Sequence, residues 1–298
     1  MGIPVHSPLF GTEAPAHKLP LPLDSCTTLV AKPSDIRFTS KVPNEVWWKR
    51  ELPESSGTDQ TVLRGKSREA LERDVALLRV FGYDSVFATC LFTDPWGDHF
   101  QYTQFPAQVV WGPAMIEQFD LDDSTARSLV EFWKSYNHLD AQTPGFLRFA
   151  HAPFRPMVVD RVFDYVCALE QLFTVGEQGA GYGYRVSCRC SSALARSRQE
   201  AGKILEVVRK AYQIRNAVAH GSLPKENDNR IVDVACELRC LVRRAIRMLE
   251  ADEMDGKKRK TVRVQLWRDL QVGGPLYLRG EEDQRKYHFE CQHLGLVR

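Results

Sequence analysis

The chain has 298 residues, of which 43% are hydrophobic and 26% charged, with a net charge of +2. That composition belongs to a soluble globular protein, long enough for one large domain or two ordinary ones with a real core. No apolar run approaches membrane-spanning length and the N-terminus lacks a charged-then-apolar signal pattern, so a cytoplasmic protein without a membrane partner is expected.

The distribution of charge says more than its total. Between Arg185 and Arg215 there are eight Lys/Arg against two Glu; Arg239, Arg243, Arg244 and Arg247 follow, then Lys257-Lys258-Arg259-Lys260. A second half that is basic along particular faces suits a polyanionic partner, although any single run also reads as a solvated helix face. Eight cysteines in such a chain are expected to be reduced thiols. Cys188-Arg189-Cys190 and Cys236-x-x-x-Cys240 invite a zinc reading. Their spacing is not that of a structural zinc site and no His stands at ligand distance, so no metal and no cofactor are expected. Small buried hydrophobes account better for most of them.

Residues 1 to about 60 are rich in Pro, Ser, Thr and Gly and read as loops with short strands at Thr28–Ala31 and Ile36–Phe38. Ser67 introduces a helix with Leu71, Val75 and Leu78 at helical spacing, ending near Gly82. Ser85–Phe92 and Ala107–Trp111 read as strands, with turn chemistry at Asp94–Asp98 between them and His99 in a surface loop. From about residue 121 the texture becomes helix after helix. Asp123 or Ser124 caps a helix carrying Leu129, Phe132, Trp133 and Tyr136, and a shorter helix runs through Phe146 and Phe149. A long helix from about Met157 to Phe173 has the seam Val159, Val162, Val166, Leu169 and Phe173.

The loop Gly176–Gly183 is glycine-rich, but no strand precedes it and it lacks the Lys-Ser/Thr of a P-loop; a connection between helices explains it. Further helices are expected through Val186, Cys190 and Leu194, over Gln199–Ala219 and over Ile231–Leu249. After Gly256 the period switches to two: Val262, Val264 and Leu266 alternate with Thr261, Arg263 and Gln265, and Gly273-Gly274 reads as the turn of a hairpin. The expected organisation is thus mainly α. A small α+β region of unknown role (1–122) precedes a helical bundle (123–252), and a basic tail with a β-hairpin (253–298) ends the chain.

The candidate site lies at the end of the Gln199–Ala219 helix. Ile204, Val207, Ala211, Ile214 and Val218 form its apolar stripe; Glu206, Arg209, Gln213, Asn216 and His220 form the opposite one. Asn216 and His220, four apart, are neighbours on the polar face. In an unbroken helix Arg215 and His220 point about 140° apart and cannot grip one phosphate. Gly221 can end the helix in a left-handed cap that frees the last turn, or a second copy of the helix can bring Arg and His together. A guanidinium holds a phosphate bidentately at any working pH, and histidine gives and takes a proton near neutrality. The carbonyl end of a helix favours its protonated form. Asn216 can hold the imidazole or a ribose hydroxyl. Glu170, on the edge of the core-facing side of its own helix, needs a partner: Arg215, or equally Arg155 or Arg161.

Asp160–Phe173, followed by Tyr212-x-x-Arg215-Asn216-x-x-x-His220-Gly221, resembles the Apea-like branch of the HEPN domains. The upstream Phe146-Leu147-Arg148-Phe149-Ala150-x-Ala152-x-x-Arg155 is similar too, and the likeness covers about residues 125 to 250. The resemblance implies an all-α bundle that dimerises through its motif helices. It also implies a metal-independent ribonuclease carried by an R-x4-6-H motif, here Arg215 and His220, with Asn216 as the polar residue after the Arg. Such nucleases attack with the ribose 2′-hydroxyl and leave a cyclic phosphate, often in bacterial defence or toxin systems. Glu170 and Tyr212 would support the site, and Arg209, Lys210 and Gln213 would contact RNA. Many HEPN proteins are instead non-catalytic modules that bind nucleic acid, a nucleotide or a regulatory protein partner, which is the alternative expectation.

Overall fold

A computed structural model describes residues 3–13, 19–31, 45–52, 60–82, 90–93, 99–101, 119–174, 181–222, 224, 226–251, 256–275 and 278. They divide into two compact units, Met1–Asn137 and His138–Arg298.

The first unit is built on a sheet whose described strands are β1 (Ile3–Glu13), β2 (Leu21–Pro22), β3 (Thr27–Ala31), β4 (Glu45–Leu52), β5 (Cys90–Thr93), β6 (His99–Gln101) and β7 (Phe119–Asp120). They are ordered β2-β3-β4-β1-β5-β6, antiparallel throughout, with the short β7 alongside β1 in parallel. Val5, Ser7 and Leu9 of β1 are buried, which is the period of two that a strand with one covered face requires. Both Trp47 and Trp48 of β4 are buried, so β4 is covered on both faces.

Helix α1 (Gln60–Phe81) is tied to this sheet by the buried carboxylate of Asp74. It accepts from Trp48 Nε1 at 2.9 Å and Arg50 Nη1 at 2.7 Å, and Arg73 covers its other oxygen at 2.9 Å. A buried charge is tolerable only when paired and hydrogen-bonded in this way. Helix α2 (Asp123–Tyr136) belongs to this unit as well. Its N-cap is Asp122 rather than Asp123 or Ser124, with Oδ1 accepting from the Thr125 amide at 2.7 Å. Leu129, Phe132, Trp133 and Tyr136 are its buried face, as their spacing predicts. Trp133 Nε1 donates to Asp24 at 2.8 Å. The expected domain boundary before residue 123 therefore falls one helix too early. The expected strands at 36–38 and 107–111 lie outside the described residues; His99 stands in β6 and not in a loop.

The second unit is helical: α3 (Phe146–His151), a 3-10 turn (Ala152–Phe154), α4 (Val158–Phe173), α5 (Tyr182–Leu194), α6 (Arg198–Ala219), α7 (Asp228–Leu249) and α8 (Gly256–Gly273). Its centre is α4, which packs on both α6 and α7 and buries Val162, Tyr165, Val166, Leu169 and Phe173. Gly145 admits α3 close to α4. Its φ is +76°, and a Cβ there would come within 2.9 Å of the Ala168 carbonyl oxygen and 3.1 Å of Leu172.

The tail is the clearest correction: residues 256–273 are helix, not a hairpin. Arg263, Leu266, Trp267 and Leu270 are buried at helical spacing, whereas Val262 is 45% exposed. The Arg263 guanidinium pairs with buried Glu250 and donates to the Leu172 carbonyl at 2.8 Å, one of the acceptors left over where α4 ends. Burial lowers this guanidinium to about 10, which keeps it charged at neutrality.

Candidate functional site

Both ends of α6 are closed by local chemistry. At its start the Ser197 side chain accepts from the Glu200 amide at 3.1 Å, and Glu200 Oε2 accepts from the Arg196 amide at 2.7 Å. This reciprocal pairing is a variant of the capping box. At its end Gly221, with φ of +69°, donates to the Val218 carbonyl at 3.0 Å while Ser222 donates to the Ala217 carbonyl at 2.8 Å. That is the two-bond Schellman arrangement. The left-handed glycine is present as expected, but it locks the last turn and does not free it. His220 is the cap residue, at φ −96° and ψ 11°, and its side chain is exposed.

The buried face of α6 is Ala201, Ile204, Val208, Ala211, Tyr212 and Ile214. Val208 replaces the expected Val207, and Val218 is half-buried. Glu206, Arg209, Gln213, Asn216 and His220 are all exposed, as the polar stripe predicts, and Lys210 is half-buried beside them.

Arg215 is half-buried on the α4 side. Its guanidinium carbon stands 5.4 Å from the centre of the Phe163 ring, and Nη1 donates to Asn216 Oδ1 at 3.1 Å. Its Nε is buried with no hydrogen-bond partner. A cation held over a ring face keeps its N–H donors, so this guanidinium retains donors for an anion. Arg215 and Asn216 are thus brought together, while His220 sits beyond them in solvent.

Glu170 does not pair with Arg215. Its Oε1 accepts from the Tyr212 hydroxyl at 3.1 Å. Arg155 goes to Asp164 at 2.6 Å, and Arg161 Nε donates to the Arg155 carbonyl at 3.0 Å, so neither alternative takes Glu170 either. Burial, and next the Glu170 carboxylate, push the Tyr212 phenol well up, which keeps it a donor. Gly183 of α5 lets the backbone reach this tyrosine: a Cβ there would stand 3.2 Å from its ring.

A second cluster was not singled out by spacing. The side chain of Asp164 is 3% exposed and accepts from Arg148 Nη1 at 2.9 Å and Arg155 Nε at 2.6 Å. The signal lay within Phe146–Arg155, but three residues from two helices and a turn share no single period. Cys167, one turn further along α4, lies within electrostatic reach of Glu170, Arg148, Arg215 and Asp164, and burial raises its thiol. Of the six cysteines whose side chains are described, only Cys190 is buried; Cys26, Cys236 and Cys240 are exposed, against the expectation that most fill the core. Among the described residues, no helix is long and apolar enough to cross a membrane.

The chain matches no family model, no curated protein and no solved structure.

Proposed function

We propose that this chain is an endoribonuclease of the HEPN type that needs no metal and acts as a cytoplasmic dimer through α6. One observation carries the reading: Arg215 is held on Phe163 and Asn216, with donors to spare, one turn before a locked helix end that presents His220 to solvent. In one chain these two groups diverge. Two copies of α6 packed on this face would join the arginine of one to the histidine of the other.

In such a site the ribose 2′-hydroxyl attacks the adjacent phosphorus. The O2′–P bond forms as the P–O5′ bond breaks, and a 2′,3′-cyclic phosphate remains. Arg215 stabilises the charge that grows on the phosphorane oxygens, and an imidazole takes the 2′ proton or returns one to the leaving 5′ oxygen. Asn216 orients the guanidinium, and the Glu170–Tyr212 pair braces α6 against α4. Arg209, Lys210 and Gln213 would line the approach of the RNA. The resemblance to Apea-like HEPN domains adds a role in bacterial defence or a toxin-like system.

The test is cleavage of RNA by the purified full chain in excess EDTA, with end-group analysis of the products. Wild type is expected to leave cyclic phosphate ends. Arg215→Ala and His220→Ala are each expected to lose at least about a hundredfold in rate, the scale of a lost charge stabiliser or proton donor. Equal rates in both variants and wild type would sink the proposal. Salt-sensitive RNA binding by wild type with no products would favour a non-catalytic binding module.

A further inference from the structure

Three guanidiniums from three separate segments converge on two consecutive residues of α4. Arg215 of α6 lies over the Phe163 ring, while Arg148 of α3 and Arg155 of the following turn hold opposite oxygens of Asp164. Cys167, one turn along α4 from Asp164, lies within electrostatic reach of Arg148, Arg215 and Asp164 together, so the arginines on Asp164 and Arg215 stand near the same stretch of α4. The side chains of Arg148 and Arg155 are each 47% exposed, although the carboxylate that anchors them is 3% exposed. Each arginine gives one nitrogen to Asp164, and no other side-chain bond of either is found among the described residues.

One arginine would neutralise Asp164. The second leaves an excess positive charge that is half-exposed and already immobilised, so its rotamer entropy is lost before any ligand arrives. Asp160 lies within electrostatic reach of Arg155, and Glu170 is taken by Tyr212. Arg161, donating to the Arg155 carbonyl at 3.0 Å, adds a further cation beside them. A fixed fork of guanidinium donors matches the geometry of a phosphodiester.

We propose that Arg148 and Arg155, fixed on Asp164, form a second phosphate-binding subsite beside Arg215, which takes the backbone phosphate next to the one that is cut. This rests on the ribonuclease reading above. It assigns the pair a share of RNA binding and no share in moving protons or electrons.

The experiment measures the salt dependence of RNA binding by fluorescence anisotropy, using the full chain with His220→Ala and a short labelled oligouridylate. Removing one arginine leaves Asp164 paired with the other. The series is therefore the single variants Arg148→Gln and Arg155→Gln in the His220→Ala chain, each melted beside that parent. Each is expected to melt cooperatively and to lower the slope of log affinity against log salt by about 0.7, the value for one phosphate contact on a single strand. If both fold and bind with the slope of the parent, the subsite is overturned while the ribonuclease reading stands. If the His220→Ala chain binds no RNA, the ribonuclease reading falls and the subsite falls with it.

Discussion

At the scale of single residues, the site depends on small hydrogen-bonding choices with measurable weight. Tyr212→Phe removes the hydroxyl that satisfies half-buried Glu170. The expected loss is about 1–2 kcal/mol in urea unfolding, because an orphaned buried acceptor costs more than the bond itself contributed. Glu170→Gln keeps an acceptor and is expected to lose less; equal losses would mean that the pair is not the brace described. Two glycines make a graded comparison. Gly221→Ala meets nothing within 4 Å and bears only the left-handed φ of +69°, for a loss of about 1 kcal/mol. Gly145→Ala adds a 2.9 Å approach to a carbonyl oxygen and is expected to lose about 3 kcal/mol or more. Thermal melts of the two variants side by side would decide it.

At the scale of elements, α8 and α2 carry the sharpest expectations. Arg263 and Glu250 form an ion pair with 1% and 0% of their side chains exposed. Arg263→Ala strands Glu250 and is expected to lose about 3–5 kcal/mol, whereas Arg263→Met with Glu250→Gln is expected to lose much less. Chemical denaturation of both proteins checks this; a double variant as unstable as the single would show that the pair itself is stabilising. For α2, Asp122 caps the helix and the Thr125 amide holds its carboxyl at about 2, below the ordinary 3.8. An acid lowered on folding stabilises above its unfolded value, and that contribution fades as pH falls from about 4 to 2. Asp122→Asn still caps but does not titrate, so its acid unfolding curve is expected to be flatter over that window.

At the scale of the whole molecule, a site shared between two copies ties activity to association. Light scattering is expected to give a dimer, and specific activity is expected to fall on dilution through its dissociation constant. A monomer with undiminished activity would rule out the two-chain site. The apolar seam of α2, that of α4 from Val162 to Phe173, the span of α6 and the polar stripe from Glu206 to His220 follow from helical periodicity and stand where it put them, while Val159, expected at the head of the α4 seam, is only half-buried. Periodicity failed at α8 for a physical reason. A buried arginine occupies a position in its helical stripe, so the apolar residues left over happened to alternate. The sequence by itself determined the helical character of the second half and the residue types at the end of α6, because hydrophobic spacing and glycine punctuation act locally. Only the tertiary structure decided that Arg215 rests on Phe163, that Glu170 turns to Tyr212, and that Arg148 and Arg155 meet on Asp164. Those pairings join residues distant in sequence, and which cation a buried carboxylate takes is settled by the reach and direction of side chains across packed helices.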